Sequence, residues 1–323
     1  MIVSLLTLGV YSAWAKVRRQ RYLLGHTQIA GSSLDYTAQP QRILKGRIIA
    51  LILVTIYYFI EYFPVITIIT ALILFYLLVP ILVVGAFRFR AANTRWRNIA
   101  FSFQGTYRQA YRIYFFYYLL GVLSAGLLYP YYQFKNREFL LNNLCFGTQR
   151  FNFTGKLPVF YKYYFQAVLL FVLALLPFFI YMYYKYSIGF HGSIEYLEIL
   201  LFDFMDMLVT MLFVFLPFLI AYEFLRVRFL YYTLNNTTLG EVKIKNDIKF
   251  LMMLYIMLTN VVLVLVSFGI FLPWARLRKI RYIYTHVYYE TSPAISNFYS
   301  GKQEGVSALG DAANDSFGFD IGL

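Results

Sequence analysis

Six apolar runs, separated by segments that hold every lysine and arginine, constrain this chain more than any other feature. A bilayer core of ~30 Å takes about 20 helical residues, and Ile48–Ile60, Val65–Ala86, Ile113–Tyr132, Tyr163–Met182, Met207–Tyr222 and Phe250–Pro273 read as spans. The first reaches that length only if 44–47 join it, with Lys45 and Arg47 snorkelling to the headgroups. Pro80 and Pro177 fall inside spans, where they read as kinks. Met1–Trp14 is about two-thirds of a span and is expected to pack against the bundle as a partial helix.

Composition agrees. Of 323 residues 60% are apolar and 14% charged, against about 45–50% and 25% in a soluble domain, which excludes disordered, collagen-like and coiled-coil classes. The 29 bases against 15 acids suit an anionic membrane surface. Nucleic acid, which wants basic faces on a soluble fold, is not an expected partner. Cys145 is the one cysteine, so neither an internal disulfide nor a cysteine-based zinc site is available. Three histidines and the lack of any phosphate-cradling glycine loop, H-E-x-x-H or G-x-S-x-G point to no metal, no cofactor and no enzyme.

If every run crosses once, 15–47, 87–112, 183–206 and 274–323 share one side and hold 19 of the 29 bases. The positive-inside rule puts that side in the cytoplasm and leaves 133–162, with Cys145, outside. A rival arrangement makes Ile113–Tyr132 and Phe250–Pro273 re-entrant, so that only Lys185 lies outside. Six crossings are favoured, because entry and return by full helices need about 40 residues.

Self-comparison adds organisation. The stretch 9–22 with His26 returns as 269–282 with His286 at an offset of 260, and a degenerate copy runs from Gly126 through Pro130, Lys135 and Phe139 to Asn143 at an offset of 117. That second offset also places 34–38 on 151–155. Arg88-Phe-Arg90 and Arg226-Val-Arg228 open a second unit type, in which Phe101-Ser-Phe-Gln-Gly105 alternates at period two and ends on glycine. Each unit reads as a span end, a short basic helix and a small surface hairpin supported by neighbouring helices. With three crossings between copies the arrangement is inverted, as in many transporters.

The residues 6–18, Arg21-Tyr22, 93–98, Phe103-Gln-Gly105, 126–130, Pro273-Trp-Ala-Arg276 and the ending 319–323 resemble the YjgN family of bacterial inner-membrane proteins over nearly the whole chain. The resemblance implies a multi-pass inner-membrane location and no established activity. It also implies a strand pair and a full span ahead of the first basic motif, where this sequence has only about a dozen residues; either the start is misassigned or the chain is naturally shortened.

Candidate sites follow. Trp14, Arg18, Arg21 and His26 correspond to Trp274, Arg278, Arg281 and His286. Each copy sets an aromatic at headgroup depth with guanidinium groups beyond it, which suits an anionic lipid headgroup or a phosphorylated solute; the plain alternative is a topology anchor. The two copies are expected to form one anion-binding surface. His26 and His286 either sense pH or cap helix ends, as Asn143 could. Thr259 and Asn260, inside the sixth span, mark an intramembrane polar seam or helix-packing glue. Glu195, Glu198, Asp203 and Asp206 read as a solvated approach to the fifth span, and Glu223 as an ion-pair partner of Arg226.

The expected fold is an all-α integral membrane protein, a polytopic bundle of about six spans with small β-hairpins. Residues 1–300 form the membrane domain, with units starting near 9, 88, 126, 226 and 269, and 301–323 form a mobile acidic tail. The expected role is transport or channel-like passage of a small polar or anionic solute. The alternatives are a non-enzymatic scaffold binding anionic lipid headgroups or a partner protein, then an unrecognised membrane enzyme. Expected partners are anionic membrane lipids and a small solute.

Overall fold

The computed structural model describes residues 7, 11–44, 48, 64–187 and 196–290, without the side chains of 64–76, 185–186 and 196–209. Most of Met1–Trp14 and of the span Ile48–Ile60, together with Glu195 and 301–323, lies outside those residues, as do the side chains of Glu198, Asp203 and Asp206.

Helices and β-hairpins alternate along the chain. Helix α1 (Ser12–Gly25) precedes β1 (Gln28–Ile29) and β2 (Ser32–Tyr36); α2 (Pro64–Asn93) precedes β3 (Thr94–Trp96) and β4 (Ile99–Phe103). Then come α3 (Tyr107–Tyr111), a π-helical stretch Arg112–Tyr117, α4 (Tyr118–Leu123) and α5 (Tyr129–Asn142), followed by β5 (Leu144–Phe146) and β6 (Gln149–Phe153). The long pair α6 (Leu157–Ser187) and α7 (Tyr196–Asn235) leads to β7 (Thr237–Leu239) and β8 (Val242–Asn246). The shorter pair α8 (Phe250–Val266) and α9 (Leu272–Thr285) leads to β9 (Val287–Glu290).

The all-α expectation is wrong. Among the described residues nine strands follow one another in a single sheet order, β1 to β9. Four hairpins turn on two residues each, with Ile29 opposite Ser32, Trp96 opposite Ile99, Phe146 opposite Gln149 and Leu239 opposite Val242. Such turns need positive φ, which Ala30 (47°), Arg97 (49°), Gly147 (56°) and Gly240 (58°) adopt. Successive hairpins are joined by the antiparallel pairs Tyr36–Thr94, Phe103–Leu144 and Phe153–Thr237. The physical reason is that a lone two-stranded ribbon leaves two rows of unpaired backbone groups, and each ribbon satisfies one row on the next.

The six-span reading fails at the same points. Each helical excursion leaves and returns at a strand pair, so Ile113–Tyr132 and Phe250–Pro273 are not single spans. Each contains a corner, at Ala125 and Gly126 (φ 50° and 89°) and at Phe268 and Gly269 (49° and 86°). The hydrogen bond from the Tyr114 hydroxyl to Asn136 Oδ1 (2.7 Å) and the Tyr118–Tyr132 ring contact show the first pair of arms running antiparallel. Among the described residues two helices are long and apolar enough to cross a membrane, Leu157–Tyr184 (28 residues) in α6 and Thr210–Asn235 (26 residues) in α7. Only 6% of the α6 window is buried inside the protein, so most of its apolar surface is exposed.

Two compact units divide the chain: Met1–Thr154 with Thr237–Lys243 and Glu290–Leu323, and Gly155–Asn236 with Ile244–Tyr289. In the first, Leu34, Trp96 and Phe146 pack on the sheet, while Val83, Phe103, Ile113, Tyr114 and Phe139 fill the helical side. In the second, Val227, Leu230, Ile248, Met253, Ile256 and Tyr282 form the core.

One device ends the helix before every strand group. The side-chain nitrogens of His26, Asn93, Asn143, Asn236 and His286 lie 2.7, 2.8, 2.7, 2.8 and 2.8 Å from the carbonyl oxygens of Tyr22, Phe89, Phe139, Tyr232 and Tyr282. Each takes up a carbonyl that the ending helix leaves open. From β3 onward the element bounds also recur 143 residues later: β3 and β4 on β7 and β8, residues 107–123 on α8, and α5 on α9.

Candidate anion-binding site

A cleft of about 530 Å³ in the first unit is lined by Arg21, Asp35, Tyr36, Thr37, Arg95 and Asn98. Arg21 reaches it from the last turns of α1. Its Nε and Nη2 donate to the carbonyls of Tyr36 and Ala38, both at 3.2 Å, so the guanidinium is fixed against the end of β2. Arg95 enters from β3, where it is the cross-strand partner of Asp35. Its Nη1 donates to Asn98 Oδ1 at 3.5 Å. Its Nε is buried with no hydrogen-bond partner, an arrangement that ordinarily costs about 1–3 kcal/mol.

The rim is strained and bolted down. Arg97 and Asn98 both hold positive φ (49° and 63°), and at the position of Arg97 the β5–β6 and β7–β8 hairpins use Gly147 and Gly240. For a non-glycine residue that costs of order 1 kcal/mol. Arg97 offsets it by donating to Ala30 O at 3.1 Å and Ser32 Oγ at 3.2 Å while its guanidinium lies over the Trp96 ring at 4.6 Å. Trp96 Nε1 in turn donates to the carbonyls of Ile29 and Ser32, both 3.2 Å. The first two hairpin turns are thereby locked together beside the cleft.

The structure separates the sequence candidates. Arg21 lines the cleft; Trp14 and Arg18 on the same helix are exposed. His26 is spent on the Tyr22 carbonyl. In the other copy His286 likewise caps α9, Arg281 is exposed, and Arg278 turns into its own hairpin. Its Nη1 donates to Thr259 Oγ1 at 2.6 Å and Asn260 Oδ1 at 3.5 Å. Its guanidinium lies 5.4 Å from the rings of both Tyr255 and Trp274. Thr259 also donates to Tyr255 O at 2.7 Å, and Asn260 Nδ2 to Ala275 O at 3.0 Å. Arg278, Trp274, Thr259 and Asn260, read separately in the sequence, thus form one internally bonded cluster. Each copy of the basic motif belongs to its own unit.

Asp35, Thr37, Arg95 and Asn98 appear in the sequence only within the repeat and resemblance motifs and are assigned to no site there. A signal was present in the broken correspondence. At the offset of 117 Asp35 falls on Asn152, which pairs with Thr238 across the next junction. The charged pair Asp35 and Arg95 therefore has a neutral pair as its counterpart.

Glu223, 2% exposed, pairs with Lys279 at 2.9 Å and with Arg226 at 3.7 Å; the expected Arg226 pair is present but is the longer of the two. Cys145 on β5 is 1% exposed, and burial pushes its thiol pKa up against the opposing pull of Arg150 and hydrogen bonds from Ser102 and Arg150. Cys145, placed on the outer side by the six-span reading, is a thiol packed within the sheet. Among the described residues no group of three His, Cys, Asp or Glu could hold a metal ion.

Compared with known proteins, the chain matches the family model DUF898, a bacterial protein of unknown function, over residues 1–316. No curated protein and no solved structure matches.

Proposed function

The chain belongs to the DUF898 family, the family of the YjgN resemblance, and from that premise we propose a non-enzymatic, multi-pass protein of the bacterial inner membrane that holds a phosphate-bearing ligand in the Arg21–Arg95 cleft. The observation that carries this reading is the unpartnered, buried Nε of Arg95 beside a second guanidinium that β2 holds in place. Guanidinium donors in fixed orientation match phosphate oxygens, and Thr37 and Asn98 add neutral polar groups at the rim. The exposed apolar faces of α6 and α7 support the membrane location. The recurrence of helix ends and strand bounds at one spacing supports an internal repeat; the cleft lies where the correspondence departs from that symmetry.

Passage of a solute through the helices has less support. It needs polar side chains facing a wet path, whereas Thr259 and Asn260 are spent on Tyr255, Ala275 and Arg278.

Phosphate chemistry has two sources here, a lipid headgroup or a free anion, and one pair of measurements separates them. The protein and its Arg95→Gln variant are placed in phosphatidylethanolamine nanodiscs for equilibrium dialysis against inorganic phosphate, and in phosphatidylglycerol mixtures for native mass spectrometry. A headgroup site retains phosphatidylglycerol in the parent and loses it in Arg95→Gln. A soluble-anion site binds phosphate in the same differential way. Equal behaviour of parent and variant in both arms, with unchanged unfolding, overturns the proposal.

A further inference from the structure

We propose that the two short helical hairpins, α3–α5 and α8–α9, are re-entrant: each enters the bilayer from the side of the sheet, turns inside the hydrocarbon near its midplane and comes back. This goes beyond the cleft, and its partner is the acyl-chain interior of the leaflet next to the sheet.

The tips are apolar. Leu123 is 73% exposed and Phe268 is 96% exposed, with Val122, Leu127, Leu265, Val266 and Ile270 exposed around them. No charged residue occurs in 113–134 or 250–275. Apolar side chains alone would not allow a turn to sit in hydrocarbon, because each unsatisfied backbone group there costs several kcal/mol.

Both corners meet that requirement for their N–H groups by the same means. Every backbone N–H from Ser124 to Tyr129 has an acceptor within its own corner: Ser124 to Leu120, Ala125 to Val122, Gly126 to Gly121, Leu127 to Ser124 and Tyr129 to Gly126 through carbonyls, and Leu128 to the Ser124 hydroxyl at 3.0 Å. The second corner repeats the pattern from Ser267 to Leu272, with Phe271 donating to the Ser267 hydroxyl at 3.2 Å and Gly269 to Val264 O at 2.8 Å. A turn in water has no need of such complete internal pairing.

The charges fix the depth. On the returning arms the first cations are Lys135, nine residues beyond Gly126, and Arg276, seven beyond Gly269. At 1.5 Å per residue they stand roughly 10–14 Å below the corners. Half of a ~30 Å core is ~15 Å, so cations held at headgroup level put both corners near the midplane. A tip carried to the far interface would instead drag Arg276, which is exposed, into the middle of the hydrocarbon. Both hairpins also close where they open, at Phe103 opposite Leu144 and at Asp247 N–H to His286 O, 3.2 Å.

The test uses the full-length protein in membranes with single cysteines at the tips, Leu123→Cys and Phe268→Cys, and a control, Thr148→Cys, in the β5–β6 turn. A membrane-impermeant maleimide is applied to intact spheroplasts and to inside-out vesicles. Both tip thiols are expected to react at least about tenfold more slowly from either side than in detergent, while Thr148→Cys labels from one side. Nitroxides on the tip thiols should collide with oxygen and be shielded from a polar nickel complex. Labelling of either tip from the side opposite to the one that labels Thr148→Cys means that the hairpin crosses, and labelling from the same side means that it lies outside the hydrocarbon; either result overturns the proposal. Loss of phosphate or lipid binding at Arg95 has no bearing on it.

Discussion

Glu223 and Lys279 form an ion pair of 2.9 Å between α7 and α9, with the carboxylate almost completely buried. Lys279 itself is three-quarters enclosed, with 22% of its side chain exposed. Burial first, and then the Arg226 charge, pull its ammonium below the ordinary lysine range, while Glu223 pushes back.

Removing one member of such a pair leaves an uncompensated charge, at a cost of about 3–5 kcal/mol. Glu223→Ala is therefore expected to be strongly destabilising in detergent unfolding, and Glu223→Met with Lys279→Met is expected to recover most of the loss. A double variant no more stable than the single one would assign Glu223 some role other than pairing.

The helix caps predict a substitution pattern. His286→Ala removes one hydrogen bond to the Tyr282 carbonyl, worth about 1 kcal/mol. His286→Asn should be close to neutral, since Asn93, Asn143 and Asn236 make the same bond elsewhere. Thermal unfolding of the two variants checks this, and equal losses would contradict it.

At Gly105 an added methyl would fall 2.5 Å from the Phe103 ring and 2.8 Å from the Phe139 ring. Both rings sit in the buried cluster under β4, so neither can swing away freely. Gly105→Ala should cost about 1–3 kcal/mol, measured as the unfolding midpoint in detergent; an unchanged midpoint would mean that the cluster is looser than its packing indicates.

Cys145 carries a pH prediction. Its raised pKa keeps the thiol neutral in the folded protein at a pH where the unfolded chain has begun to ionise at its ordinary value, 9.0. The unfolded state then holds fewer protons, so stability is complete below pH 9 and falls as pH rises through that value. Cys145→Ser, which does not ionise there, should lose less stability between pH 8 and 10, and the native thiol should resist alkylation until the protein unfolds.

The sequence made some of this legible and hid the rest for physical reasons. The basic helix and the residue that ends it could be read at 9–26, 126–143 and 269–286, because a capping His or Asn must stand at one place relative to the last carbonyl. The strands were visible singly, as in Phe101-Ser-Phe, but their union was not. Pairing between Phe103 and Leu144 or Phe153 and Thr237 depends on where long helical excursions return, which no local pattern encodes. The corners were hidden by their own chemistry: at Ser124-Ala-Gly126 and Ser267-Phe-Gly269 one serine hydroxyl and the local carbonyls take up the N–H groups, so no cluster of polar residues announces a turn. Arg21 was found as a cation, whereas Arg95 was missed because its significance lies in standing opposite Asp35 on a neighbouring strand.

The most direct test of the central claim is a density map of the protein extracted with its native lipids and supplied with inorganic phosphate. The account predicts density for a phosphate group between Arg21 and Arg95, within hydrogen-bond distance of Arg95 Nε, and its absence from Arg95→Gln. An empty cleft in which Arg95 has turned to form an ion pair with Asp35 would contradict it.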